Sequence, residues 1–250
     1  MAGRVAQALD RWILRRVQGR WTRANADAPE LDLFELRALR AEARAMRRQI
    51  DRLLHAADAR LSRPLADGRE WPLGTDWTWR PDGWRGPLPD PGEVIAGPAS
   101  QLSEDLGLYH DCPLSEIAFR QLRNTESHAP FGLALEVFGF RGSFLSLSLG
   151  LPESAATGLG PRHVLRLDAA IEADRPLRAF ARLNLRHSAG LAQQTCDLTR
   201  GGEAEFDLAY AGLGEARIER AWLDLIFNDA AMTRILLRDA VLSRRPRAGL

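Results

Sequence analysis

Lysine is absent from this 250-residue chain, and all 34 basic residues are arginine. A compositional bias toward alanine and arginine accounts for that. The arginines alone therefore name no ligand, although a guanidinium makes forked hydrogen bonds that an ammonium cannot. Net charge is scarce as well, with 34 basic residues against 33 acidic ones. That balance argues against a general nucleic-acid binder. Only two cysteines occur, Cys112 and Cys196, far apart in sequence. They argue against a disulfide framework and fit a reducing compartment. No segment approaches the roughly 20 apolar residues that span a bilayer. Charge at Asp10, Arg11, Arg15 and Arg16 interrupts the apolar stretch after Arg4, where a secretory signal would lie. The expected location is cytoplasmic, with peripheral attachment to the inner membrane as an alternative. The phosphate loop GxxxxGK[ST], HExxH and GxSxG are missing too, and GLG at 158–160 is no substitute. No catalytic residue, cofactor or metal is expected.

A chain of 250 residues that is 45% hydrophobic builds one large domain or two small ones. Three segments differ in character: 1–60, 61–108 and 109–250. The first reads as a helical hairpin or coiled-coil segment. Residues 1–26 carry six arginines and one acid, Asp10. Val5, Leu9, Trp12, Ile13 and Val17 recur there at helical spacing, and Gly19 is a plausible stop. A basic amphipathic helix of this kind docks on protein or lies on an anionic membrane through residues 4–17. A second helix is expected after Asp27 and Glu30, which have capping-box spacing around Pro29. Its apolar residues Leu36, Leu39, Ala43, Met46, Ile50, Leu53 and Ala57 alternate steps of three and four. That is a heptad seam, which must meet the first helix, a second copy of itself, or the rest of the chain. His55 on this helix reads as ordinary packing or solvent contact.

Residues 61–108 are rich in proline and glycine and hold four of the seven tryptophans, Trp71, Trp77, Trp79 and Trp84. Proline disfavours long helix and central strand, yet dense indoles favour burial. An ordered strap resolves the conflict, with prolines stiffening the path and tryptophans anchoring it. Sugar stacking on Trp77 and Trp79, or binding of a partner, are the competing readings.

From about residue 109 period-two alternation takes over. Leu133, Leu135 and Val137 alternate, as do Leu145, Leu147, Leu149 and Leu151, with Ser146 and Ser148 opposite. The intervening FGFRGSF reads as a hairpin turn. Leu165, Leu167, Ala169 and Ile171 continue the pattern, followed by Ala179, Ala181, Leu183 and Leu185, then Phe206 and Leu208, then Ala221, Leu223, Leu225 and Phe227. Short strands separated by turns predict a mainly β fold, an antiparallel β-sandwich preceded by amphipathic helices. The opposite parity gives the candidate ligand face: Arg178, Arg182, Asn184 and Arg186 on one strand, and Arg220, Trp222 and Asp224 on another, with Phe180, Ile218 and Ile226 interspersed. If these strands share a sheet, guanidinium, amide, carboxylate and indole stand on one surface. The densest reactive cluster is YHDCPLSE, with Tyr109, His110, Asp111, Cys112 and Glu116. It lacks the further ligands of a zinc site, and adjacency does not make a nucleophile pair.

Three stretches, LGTDWTWRPDGWRGPLP, YHDCPLSEIAFRQLRN continuing to VFGFRGSFLSLSL, and ILLRDAVLSRRPRAGL, resemble an uncharacterised alphaproteobacterial family of unknown function. The resemblance covers almost the whole chain and brings no ligand or activity with it. The last strand, with Leu237, Arg238 and Asp239, is similar to the closing strand of jelly-roll carbohydrate-binding modules. The expected function is a non-catalytic binding or assembly protein, recognising a protein partner through the sandwich, with the helices oligomerising or docking. The alternatives are a carbohydrate-binding module for a bacterial glycan and a carbohydrate-active enzyme.

Overall fold

The computed structural model describes residues 2–61, 71–114, 116–125, 129–198, 201–214 and 217–247. Side chains at 2–14, and at 51–61 apart from Leu53, lie outside the described residues. The expectations placed on Val5, Leu9, Trp12, Ile13, His55 and Ala57 fall there, as does most of the membrane contact expected of residues 4–17.

The chain divides into two compact units, Met1–Arg52 and Leu53–Leu250. The first holds α1 (Ala2–Asp27) and most of α2 (Leu33–Leu61). Two local expectations are corrected. Gly19 does not stop α1, which runs on to Asp27; a mid-helix glycine costs only about 1 kcal/mol, too little to end a long amphipathic helix. The cap of α2 is not the Asp27/Glu30 pair but Asp32. Its carboxylate accepts the N–H groups of Phe34 at 2.7 Å and Glu35 at 3.0 Å, with Glu35 three residues on, where a capping box places it. Arg20 and Glu42 join the two helices through an ion pair at 2.5 Å. No helix among the described residues is long and apolar enough to cross a membrane.

The second unit is mainly β, two antiparallel sheets in a sandwich. The seven-stranded sheet runs β11 (Glu203–Asp207), β8 (His163–Ala173), β13 (Thr233–Pro246), β6 (Phe131–Val137), β5 (Ile117–Arg123), β2 (Gly92–Ile95), with β1 (Trp77–Trp79) also pairing β13. The six-stranded sheet runs β10 (Gly190–Asp197), β9 (Arg178–His187), β12 (Ile218–Asn228), β7 (Leu145–Gly150), β4 (Leu106–His110), β3 (Ala99–Gln101). The alternating rows form the core. Leu145, Leu147 and Leu149 face it from β7, Ala181, Leu183 and Leu185 from β9, and Leu223, Leu225 and Phe227 from β12. Leu165, Leu167, Leu133 and Leu135 meet them from the other sheet.

Alternation fixes which face a residue occupies, not which strand lies beside it. FGFRGSF is therefore not a hairpin. β6 and β7 belong to different sheets, and the segment crosses between them. Asp111 holds the crossing by accepting the Ser143 N–H at 2.7 Å, the Phe144 N–H at 3.2 Å and the Ser143 hydroxyl at 2.5 Å. Ile218 is also corrected. A bulge between Ile218 and Arg220 shifts parity, so Ile218 is buried in the core.

The tryptophan segment is ordered but does not lie over the sandwich as a separate strap. It supplies β1, β2 and β3, and the expected boundary at 108 falls inside β4. β13 explains why. Its Thr233–Leu237 half pairs with β6, and its Leu242–Arg244 half pairs with β1. A bulge between Leu237 and Asp239 marks the exchange. There the backbone carbonyls take side-chain donors instead: the Trp84 indole N–H reaches the Leu237 carbonyl at 3.0 Å, and the Asn124 amide reaches that of Arg238 at 2.8 Å. Arg80 forks onto Asp239 at 2.9 and 3.1 Å. Their side chains are only 11% and 2% exposed.

Breaking a buried pair strands the surviving charge, at a cost of about 3 kcal/mol or more. Asp239→Ala is expected to lower stability by that amount in urea unfolding. Asp229→Asn, which suits the left-handed backbone at that position (φ 58°) and frees Arg178 from a pair whose side chains are 63% and 72% exposed, is expected to cost under about 1 kcal/mol.

Candidate binding groove

On the outer face of the six-stranded sheet, strand register sets side chains in rows. Arg182 of β9 stands opposite Asp224 of β12, Asn184 opposite Trp222, and Arg186 opposite Arg220. On the far side of β12, Asp224 meets Ser148 of β7 and Trp222 meets Gly150. Tyr109 of β4 stands opposite Ser146, and Gly107 opposite Ser148. Large side chains on β9 and β12 thus face glycine and serine on β4 and β7. The difference in height leaves a cavity of about 700 Å³ lined by Arg182, Arg186, Arg220, Trp222, Asp224 and Tyr109, among others. A second cavity of about 430 Å³ shares Glu104, Asp105, Gly150 and Arg220 with it and adds Trp79 and Arg85.

The floor of the groove is a satisfied polar network. Asn184 is 1% exposed and Asp224 6%. Asn184 donates to the Asp224 carboxylate at 2.8 Å and to the Arg182 carbonyl at 3.1 Å, and accepts from Gln193 at 2.6 Å. Arg182 forks onto the same Asp224 oxygen at 3.0 and 3.3 Å. Asn184 is therefore a positioning residue beneath the groove and does not line it. Arg220 lies over the Trp222 ring at 5.7 Å. Tyr109 folds across Gly107, where an added Cβ would come within 2.8 Å of the phenol ring.

Of the seven ligand candidates read from the sequence, the structure places Arg182, Arg186, Arg220, Trp222 and Asp224 in the lining. Asn184 lies under it. Arg178 stands apart from the lining, paired with Asp229 at 2.9 Å. Tyr109, Ser146, Ser148, Gln101 and Glu104 also line the groove and were not among the candidates. The outward parity of Ser146 and Ser148 was the available signal; their neighbours on β4 and β12 were not visible. The aromatic candidates scatter. Trp84 is buried in the core. Trp77 and Trp79 stack on each other with centroids 6.5 Å apart, and Trp71 borders a shallow cavity beside Trp77.

His110 and Cys112 make a local structural cluster. The Cys112 N–H donates to His110 Nδ1 at 3.2 Å, and the thiol donates to the Leu114 carbonyl at 3.2 Å. Among the described residues no group of three His, Cys, Asp or Glu side chains is placed to hold a metal ion. Next to them, the hydrogen bond from the Ser143 hydroxyl holds the Asp111 carboxyl below its ordinary value. The tie to Ser143 and Phe144, which brings Phe144 to the groove, is thus present at neutral pH and is lost as the solution is acidified through that lowered value.

A two-sheet antiparallel sandwich with a polar, aromatic-flanked groove on one outer face is the class of protein these features define. The chain belongs to DUF6478, a family of unknown function, whose profile matches residues 1–250. No curated protein matches it in sequence. Solved structures similar to it include the enzymatically active domain of bacteriophage CBA120 tailspike protein 4, at 7% identity and TM-score 0.39, covering 55% of this chain but 19% of that one. TmCBM61, solved with β-1,4-galactotriose, is 10% identical with TM-score 0.35, covering 56% of this chain and 88% of its own. The CBM22-1 xylan-binding domain of Paenibacillus barcinonensis Xyn10C is 11% identical with TM-score 0.34, covering 57% and 87%.

Losing the Asn184 amide leaves Gln193 and Asp224 short of a partner. Asn184→Ala is expected to lower stability by about 1–3 kcal/mol and to broaden the Trp222 side-chain resonance in NMR spectra. An unchanged spectrum would show that the groove keeps its shape without this network.

Proposed function

We propose that the sandwich is a non-catalytic binding module that holds a carbohydrate chain in the groove of the six-stranded sheet. One observation carries this reading: a single cavity of about 700 Å³ is lined by an indole, a phenol, and a fixed guanidinium–carboxylate pair. A sugar ring has an apolar C–H face and a rim of hydroxyls. Trp222 and Tyr109 suit the first, while Arg182, Asp224, Ser146 and Ser148 suit the second. A flat protein partner would have less use for a concave surface whose low side is glycine and serine.

The same residues favour binding over hydrolysis. Glycoside cleavage needs two carboxyl groups at a set separation across the sugar bond. Asp224 is engaged by Arg182 and Asn184. Asp105 is engaged by the Asp82 N–H at 3.0 Å and the Ser103 hydroxyl at 2.6 Å. Glu104 alone does not make a pair. Calorimetry of the intact chain against a glycan panel is expected to find a ligand that is bound without turnover. Trp222→Ala is expected to weaken capture about tenfold or more with circular dichroism unchanged. Undiminished binding by that folded variant would reject the site.

The helical unit supports a second reading, self-association. On its part of the heptad seam, Met46 and Ile50 are 36% and 50% exposed, and such a seam is stabilised by a partner helix. A second copy is the partner inferred here, with docking on another protein as the alternative. Light scattering is expected to show an assembly that falls to monomer mass in the L39D/I50D variant. A monomeric native chain would remove this reading.

A further inference from the structure

We infer that the groove selects an acidic sugar, a hexuronate or a sulfated residue, whose anionic group is received by Arg186 and Arg220. The inference rests on the carbohydrate-binding reading and adds the ligand's charge. Arg186 and Arg220 are direct cross-strand partners on β9 and β12, and both line the cavity. Like charges directly opposite each other destabilise a sheet, and an anion between them would relieve that cost. Among the described residues neither guanidinium has an ion pair. Arg220 has only the Trp222 face, at 5.7 Å.

Their surroundings make the contrast sharper. Arg182, two rows along, is neutralised by Asp224 at 3.0 Å, and Arg166, Arg238, Arg244, Arg245 and Arg247 each hold a carboxylate elsewhere on the sandwich. Other arginines of the sandwich, Arg141 and Arg175 among them, also lack an ion pair among the described residues; Arg186 and Arg220 are two such that stand side by side on neighbouring strands and line the groove. Two planar forks at one spot suit an oxyanion with several acceptor oxygens. Trp222, two residues from Arg220 along β12, suits the ring that bears the anion. Glu104 also lines the cavity; it is exposed and carries the opposing charge, so it tunes the preference downward.

The test is isothermal titration of the full chain with paired ligands: oligogalacturonate and its methyl ester, and sulfated and desulfated galactan oligosaccharides, with sodium acetate and sodium sulfate as sugar-free anions. The expected result is binding of an acidic member about tenfold tighter than its neutral twin, weakening with salt. Arg186→Gln and Arg220→Gln are expected to abolish the preference while the thermal midpoint holds or rises, because a repulsive pair is removed; a structural role would lower it. Glu104→Gln is expected to strengthen acidic binding. Equal affinity for both twins would overturn the anion assignment and leave the carbohydrate reading standing. Sulfate alone binding as tightly as the acidic sugars would overturn the sugar. No binding across the panel would overturn both.

Discussion

The exchange of partners along one edge of β13 is the constraint on which the second unit depends. A strand of fourteen residues outruns the seven-residue β6 beside it, and its unpaired carbonyls must find donors or pay the full cost of burial. Trp84 and Asn124 supply those donors at the bulge, and β1 takes over the edge beyond it. Arg80 and Asp239 lock the junction with a buried forked ion pair. Such a pair gains little over an apolar replacement, but it tolerates no misplacement. It ties residues 77–84 to β13 beside the bulge.

A series of hydrogen bonds leads from that junction to the groove. Gln121 accepts the Leu88 N–H at 2.8 Å and donates to the Gly83 and Gly86 carbonyls at 2.7 and 2.8 Å. It thereby carries the chain from the bulge toward β2 and β3. The Asp82 N–H then donates to the Asp105 carboxylate at 3.0 Å, in the turn just before β4, which carries Gly107 and Tyr109. On the other side, the bulge at Ile218 turns Arg220 outward, opposite Arg186. One irregularity in each sheet thus assembles a site from strands distant in sequence.

The faces of the strands were legible because alternation needs only one strand at a time. Arg182, Asn184 and Arg186, and Trp222 and Asp224, all read correctly as outward for that reason. Sheet membership was not legible, since FGFRGSF has the glycine and charge of a hairpin yet crosses between sheets. Ile218 misled because a bulge leaves no mark in composition. The role of Tyr109 required knowing that β4 lies two strands from β12, which is long-range information. In the helices, Asp27 and Asp32 both satisfy the spacing of a cap, and only the length of α1 decides between them.

The groove divides into a stiff part and an adaptable part, and the division constrains what it does. Asp224, Asn184, Gln193 and the Arg182 fork are mutually hydrogen-bonded, so a ligand meeting them costs little reorganisation. Arg186 and Arg220 are exposed and carry long side chains that lose rotamer freedom when they clamp. On the proposed reading, orientation of a ligand comes from the Asp224 end, where hydroxyls would be met, and charge selection from the arginine end, where attraction offsets the ordering. Trp222 stands between the two in the same row as Asn184 and Arg220's neighbour on its strand. In that proposal a ring stacked there would reach both ends at once, which would tie shape recognition and charge recognition to one residue.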